Sequence, residues 1–121
     1  MTNINIKRVY ADAEGENGDG FRIFIDRLWP RGESKEKFHY DLWAKNVAPS
    51  DELRCWFHEN PDERWDEFEK RYLEELNRSP DAISLVGEVK SHDMVTLLFS
   101  SRDEEHNNAF VLKQFLRSKL G

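Results

Sequence analysis

Apolar positions along the chain follow two periods. Ile4 and Ile6 open an alternating segment that runs to Tyr10 and reads as a first strand. Phe21, Ile23 and Ile25 alternate again, with Phe24 on the opposite face, so residues 21–26 read as a second strand covered on both sides. Met94-Val95-Thr96-Leu97-Leu98-Phe99 is an unbroken apolar run rich in strand formers, a further strand. Helical spacing takes over elsewhere. Trp65, Phe68, Tyr72, Leu73 and Leu76 make one stripe, and Leu53, Trp56 and Phe57 sit in a shorter helix before it. Ile83, Val86 and Val89 make a weaker stripe that Gly87 interrupts. Ala109, Leu112, Phe115 and Leu116 predict a last helix over about residues 104–119.

Polar and special residues punctuate this pattern. Residues 12–20 are rich in Gly and acid, the composition of a mobile loop, and too few to hold a crossover helix. The first two strands are therefore either an antiparallel pair or not neighbours. Pro30 forces Trp29 to be extended, and Gly32 permits a turn. Residues 34–37 are basic and polar, compatible with a helical turn, and residues 41–47 read as a short strand or an extended loop. Ser50, Asn60-Pro61 and Ser79-Pro80 are helix starts, with Glu63 three residues after Asn60. Asp66–Lys70, Glu67–Arg71 and Glu74–Arg78 are acid-before-base pairs on an exposed helix face. The fold class expected is α/β: a small mixed, partly parallel sheet of 3–4 strands with 3–5 helices packed on it.

Length adds that the 121 residues have room for a single domain, 1–121, with one core. Four Trp and eight Phe supply that core, although 35% of the chain is charged. With 24 acidic and 18 basic residues the net charge is -6, which disfavours non-specific nucleic-acid binding. A single cysteine, Cys55, fits a reducing cytoplasm, and its place beside Trp56-Phe57 favours a buried, inert thiol over a nucleophile paired with His58. The first residues hold no long apolar run and no stretch approaches a membrane span, so neither a secretory signal nor membrane insertion is expected. The four histidines have no metal-ligand spacing, and there is no phosphate-loop, dinucleotide or nucleophile-elbow motif.

Candidate chemistry gathers after two strands. Arg27, Arg31 and Lys35 follow the second; Ser101, Arg102, His106, Asn107 and Asn108 follow the 94–99 strand. If those strands are parallel, both clusters meet at one sheet edge, where open α/β sheets take ligands and a helix amino end favours anions. Arg27, Arg31 and Arg102 would hold charge, and Trp29 and Trp43 would wall the pocket. His106 would transfer protons, oriented by Asp103 three residues earlier on one helical face. The competing reading pairs Arg27 and Arg102 with Asp26, Asp103 or Glu104, places both tryptophans in the core, and leaves Asp103 as a helix cap. Asn107 and Asn108 are poor helix-interior residues, so their amides are expected to bond something, ligand or backbone.

Several segments resemble the YeaO-like family, domain of unknown function 488. They are Ile6-Lys7-Arg8-Val9-Tyr10, Asp26-Arg27-Leu28-Trp29-Pro30-Arg31-Gly32, Leu42-Trp43 with Ala48-Pro49-Ser50, Leu53-Arg54 with Trp56-Phe57-His58, and Arg102-Asp103-Glu104-Glu105-His106-Asn107-Asn108-Ala109. The likeness runs nearly end to end. It implies a small bacterial or archaeal cytoplasmic protein and supplies no catalytic roles. Two functions remain open at this point. One is an α/β protein that binds an anionic small molecule, a nucleotide or phosphate ester, and acts on it or not. The other is a non-catalytic interaction module that docks a protein through Trp29-Pro30-Arg31.

Overall fold

The computed structural model describes residues 2–121. The first strand, β1 (Asn3–Arg8), is followed by a 3-10 turn at Val9–Ala11 and another at Asn17–Asp19. Then come β2 (Phe21–Phe24), β3 (Leu42–Trp43) and a 3-10 turn at Lys45–Val47. Three helices follow: α1 (Asp51–Glu59), α2 (Pro61–Asn77) and α3 (Pro80–Lys90). β4 (Met94–Phe99) and α4 (Asn108–Leu120) close the chain. The strands form one sheet in the order β1-β4-β2-β3, with every pairing parallel. The chain is thus α/β. The first two strands are not neighbours, because β4 lies between them, and the segment at 41–47 is a two-residue edge strand that ends in a 3-10 turn.

The sheet buries both faces differently. On one face Ile4, Ile23, Ile25, Val95, Leu97 and Phe99 pack under side chains from all four helices, among them Phe57, Phe68, Tyr72, Leu85 and Phe115. On the other, Val9, Phe24, Phe38 and Leu98 form a second cluster, covered by Ala13, Trp29, Tyr40 and Trp43 from coil and β3. Alternation along β2 does this: Ile23 and Ile25 face the helices and Phe24 faces away, as the sequence pattern predicts.

Three local expectations change. The Gly- and acid-rich segment is tied down rather than loose. Arg22, 1% exposed, donates to Asp19, His39 O, Asp12 O and Ala13 O, and Lys7 Nζ lies 2.6 Å from the Asp19 carboxylate. Thr96 Oγ1 also donates to Asp19 O at 2.7 Å. A buried guanidinium needs these acceptors, and the loop carbonyls supply them. Second, Val89 of the expected α3 stripe is buried and Val86 packs against the core, but Ile83 is 60% exposed, and Ala82 and Leu85 are buried instead. Small Ala82 lets the helix approach, and Ile83 then projects to solvent. Third, Cys55 is exposed, on the side of α1 away from Leu53 and Phe57.

Helix caps follow the sequence signals with one twist. Ser50 and Ser79 accept from the N–H groups of Leu53 and Ala82. Asn60 makes no such bond, and its amide instead donates to the Glu63 carboxylate at 2.9 Å. Of the expected exposed pairs, Glu67–Arg71 closes at 3.3 Å.

Candidate functional site

The carboxyl ends of β1, β4 and β2 lie side by side because the strands are parallel, and a cleft of about 840 Å³ opens over them. Asp26, just past β2, organises it. Its carboxylate accepts from Ser100 N–H at 2.9 Å and from the Ser100 hydroxyl, and its other oxygen accepts from Asn108 Nδ2 at 3.0 Å. The end of β2, the end of β4 and the start of α4 are thereby held at one point. Trp43 Nε1 donates to the Asp26 carbonyl at 2.7 Å and fixes the same residue from behind.

The loop after β2 arches over β4 toward β1. Tyr10 Oη donates to Arg31 O at 2.9 Å, and Trp29 Nε1 donates to Glu33 O at 2.8 Å. Trp29 also packs edge-on against Phe38, Tyr40 and Trp43, so the loop rests on the second core cluster. The loop after β4 is bound as firmly. Arg8 Nε donates to Ser101 O at 2.9 Å. The Asp103 carboxylate accepts from the N–H groups of His106 and Glu105, both at 2.9 Å, and these bonds hold its carboxyl below the usual carboxylate range. Asn107 caps α4 by accepting from Phe110 N–H, and its amide donates to Asp103 O.

Charge in the cleft runs against the charge of the chain. Arg8, Arg27, Arg31, Arg54 and Arg102 line it against two carboxylates, Asp26 and Asp103, in a protein of net charge -6. Arg8 lies over the Tyr10 ring, 4.8 Å from its centroid. Arg31 and Arg102 are exposed, and neither has a carboxylate partner among the described residues. His58, beside Arg54 on α1, is pushed down from the usual imidazole value by burial and by the Arg54 charge. Apolar surface comes from Leu28, Trp29, Pro30, Phe57 and Phe68. The arrangement suits a ligand with an anionic group and a flat or apolar part. Among the described residues no three His, Cys, Asp or Glu side chains gather as a metal would require.

A family model described as the inactive DUF488-N3 subclade matches residues 3–121. The chain belongs to that family. The Escherichia coli protein named uncharacterized protein YeaO is 40% identical over 116 residues, which cover 96% of this chain and 98% of that one. Uncharacterized proteins of Mycobacterium tuberculosis and Mycobacterium bovis are 39% identical over 118 residues, 98% of this chain and 97% of theirs. No solved structure matches the chain. The likeness to the YeaO-like family read from the sequence is therefore correct, and these relatives are bacterial.

In this member of the family, Arg27, Trp29, Arg31, Ser101, Arg102, Asp103, His106, Asn107 and Asn108 all line the cleft. Trp43 does not; it stands behind Asp26 within the second core cluster. Lys35 is exposed on the loop and also outside the lining. Arg27 approaches Asp51 at 3.7 Å, not Asp26. Asp103 and His106 do not share a helical face, because α4 begins at Asn108 and both lie in the turn before it. Asp103 Oδ1 accepts from both backbone N–H groups there, and Oδ2 faces His106. His106 Nδ1 stands 4.0 Å from the nearer oxygen, and its ring stacks on Trp65 at 4.7 Å and 17°. The paired Asn residues are explained: one caps the helix and the other bonds Asp26.

Sequence reasoning missed Arg8, Tyr10, Asp26, Arg54 and His58. Arg8 ends β1 and Tyr10 follows it, just as Arg27 and Ser101 follow their strands, so the same rule about strand ends applies to them. Arg54 and His58 are four apart on α1 and share a face, a spacing present in the sequence without anything to say which way it points.

Proposed function

We propose that the cleft binds a small organic anion, of the class of a nucleotide or phosphate ester, and that it does so without turning it over. The observation that carries this is the gathering of five arginines in one concave site of an acidic protein. Trp29, Arg31, Arg102 and His106 line the same cavity, which favours a ligand pocket over a convex docking surface. Arginines hold oxyanions through paired N–H donors, and Tyr10 and Trp29 offer aromatic surface for a base or sugar ring. Binding without turnover is favoured by the description of the matching family model, inactive.

Thermal unfolding in the presence of phosphate, nucleotides and small carboxylates tests the reading, with wild type beside Arg102→Ala. A ligand at about 100 times its Kd stabilises by about 2.7 kcal/mol, a shift of several degrees for a chain of this size. A shift that is lost in the folded variant supports the site. No shift with any anion overturns it.

A further inference from the structure

Resting on that reading, we infer that Arg27 and Arg54 form the subsite for the ligand's oxyanion, and that Asp51 is a built-in stand-in for it. Arg27 and Arg54 reach the cleft from different elements, the loop after β2 and α1. The Nε atoms of both are buried and have no hydrogen-bond partner. What lies beside them is one carboxylate oxygen of Asp51, 3.7 Å from Arg27 Nε and 3.5 Å from Arg54 Nη2. Neither approach is a hydrogen bond. Arg27 is otherwise anchored through Nη2 by long contacts to Ala48 O and Pro49 O, at 3.5 and 3.4 Å.

This leaves two guanidiniums close together, each with an unmet donor, neutralised by a group that fits neither. Asp51 is 71% exposed at its side chain and is not among the residues lining the cleft, so it approaches from outside the wall. Water competes for such a carboxylate, and the tie is weak. A phosphate or carboxylate entering from the cleft presents two or three oxygens to both forks at once. It satisfies the donors that Asp51 does not and displaces its charge. Phosphate and carboxylate share this chemistry, and the probes below separate them.

The test is calorimetric titration of the full chain with inorganic pyrophosphate and with malonate at low ionic strength. Wild type is compared with Asp51→Asn, Arg54→Gln and Arg102→Ala, each checked for folding by thermal unfolding. Removing the stand-in is expected to tighten binding by roughly 2- to 5-fold. Arg54→Gln is expected to weaken it by at least about 10-fold, and the conservative Arg54→Lys to recover only part, since Lys lacks the fork. If Asp51→Asn binds no tighter or more weakly, the stand-in role is wrong. If Arg54→Gln binds like wild type while Arg102→Ala does not, the subsite is wrong and the cleft reading survives. If wild type takes neither probe, both readings fall.

Discussion

Asp26 and Asn108 are separated by 82 residues in the chain and joined by a 3.0 Å hydrogen bond in the fold. With the two bonds from Ser100 to the same carboxylate, this contact sets the distance between the end of β2 and the start of α4. The floor of the cleft is therefore a property of one carboxylate. Asp26→Ala leaves Ser100 N–H and Asn108 Nδ2 without that acceptor, and hydrogen bonds to a charged group are each worth about 2 kcal/mol. We expect a loss of about 2 kcal/mol or more, roughly 8 °C in Tm for a chain of this size. Asp26→Asn, which keeps one acceptor oxygen, should lose about half as much. Denaturant unfolding of the two variants checks the order.

Gly20 and Gly32 both have positive φ, at +66° and +81°, but they differ in space. A Cβ at Gly20 would meet Met94 O at 2.2 Å, whereas one at Gly32 meets nothing within 4 Å. Gly20→Ala should therefore cost about 3 kcal/mol or more, from backbone strain and a clash with β4, and Gly32→Ala about 1 kcal/mol, from strain alone. Equal losses in urea unfolding would contradict the close approach of the 12–20 segment to β4.

The network around Asp19 makes a pH prediction. Burial pushes the Asp19 carboxyl up, but the Lys7 ammonium, the Glu16 N–H and the Arg22 guanidinium outweigh it and hold it below the usual range. Asp12 is lowered as well, by Gly15 N–H above all. Lys7 is raised, chiefly by its bond to Asp19. The carboxylates contribute stability that is fully present above about pH 4 and fades as pH falls through their lower folded values. The Lys7 contribution is complete below about pH 10 and is lost as pH rises through its higher folded value. Asp19→Asn should lower stability at pH 7 and flatten the decline on the acid side. An unchanged acid limb would remove Asp19 from this role.

His58 lines the cleft and reports on its charge. Burial and the Arg54 charge hold its pKa below the ordinary value near 6.5. An oxyanion bound at Arg54 offsets that charge, so the His58 pKa should rise when pyrophosphate is added and should also rise in Arg54→Gln without ligand. Titration of the imidazole proton resonances follows both changes. A His58 pKa unmoved by saturating anion would place the ligand away from α1.

Much of this was legible in the chain. The 94–99 run, the stripe from Trp65 to Leu76, the caps at Ser50 and Ser79 and the convergence of the Arg27–Arg31 and Ser101–Asn108 segments follow from period, capping chemistry and the rule about strand ends. What was not legible depends on tertiary partners. Nothing local says that Arg22, in the middle of a strand, is buried, because its acceptors are loop carbonyls of residues 12, 13 and 39. Nothing local delays α4 to Asn108 either. The Asp103 carboxylate bonds the N–H groups of Glu105 and His106 and holds those residues in a turn that the spacing alone assigns to the helix. Both Ala82 and Ile83 are apolar residues that a helix accepts, and only the packing of α3 decides which is buried. Trp43 carries the same signal as Trp29, yet only one of them reaches the cleft.

The most direct test of the central claim, an anion-binding cleft at the strand ends, is a nitrogen–proton correlation spectrum of the labelled protein titrated with pyrophosphate. The account predicts saturable shifts in the amides of residues 27–31 and 100–108, with the far side of the sheet unmoved and the same shifts lost in folded Arg102→Ala. Shifts that never saturate, or that saturate elsewhere and persist in the variant, would contradict it.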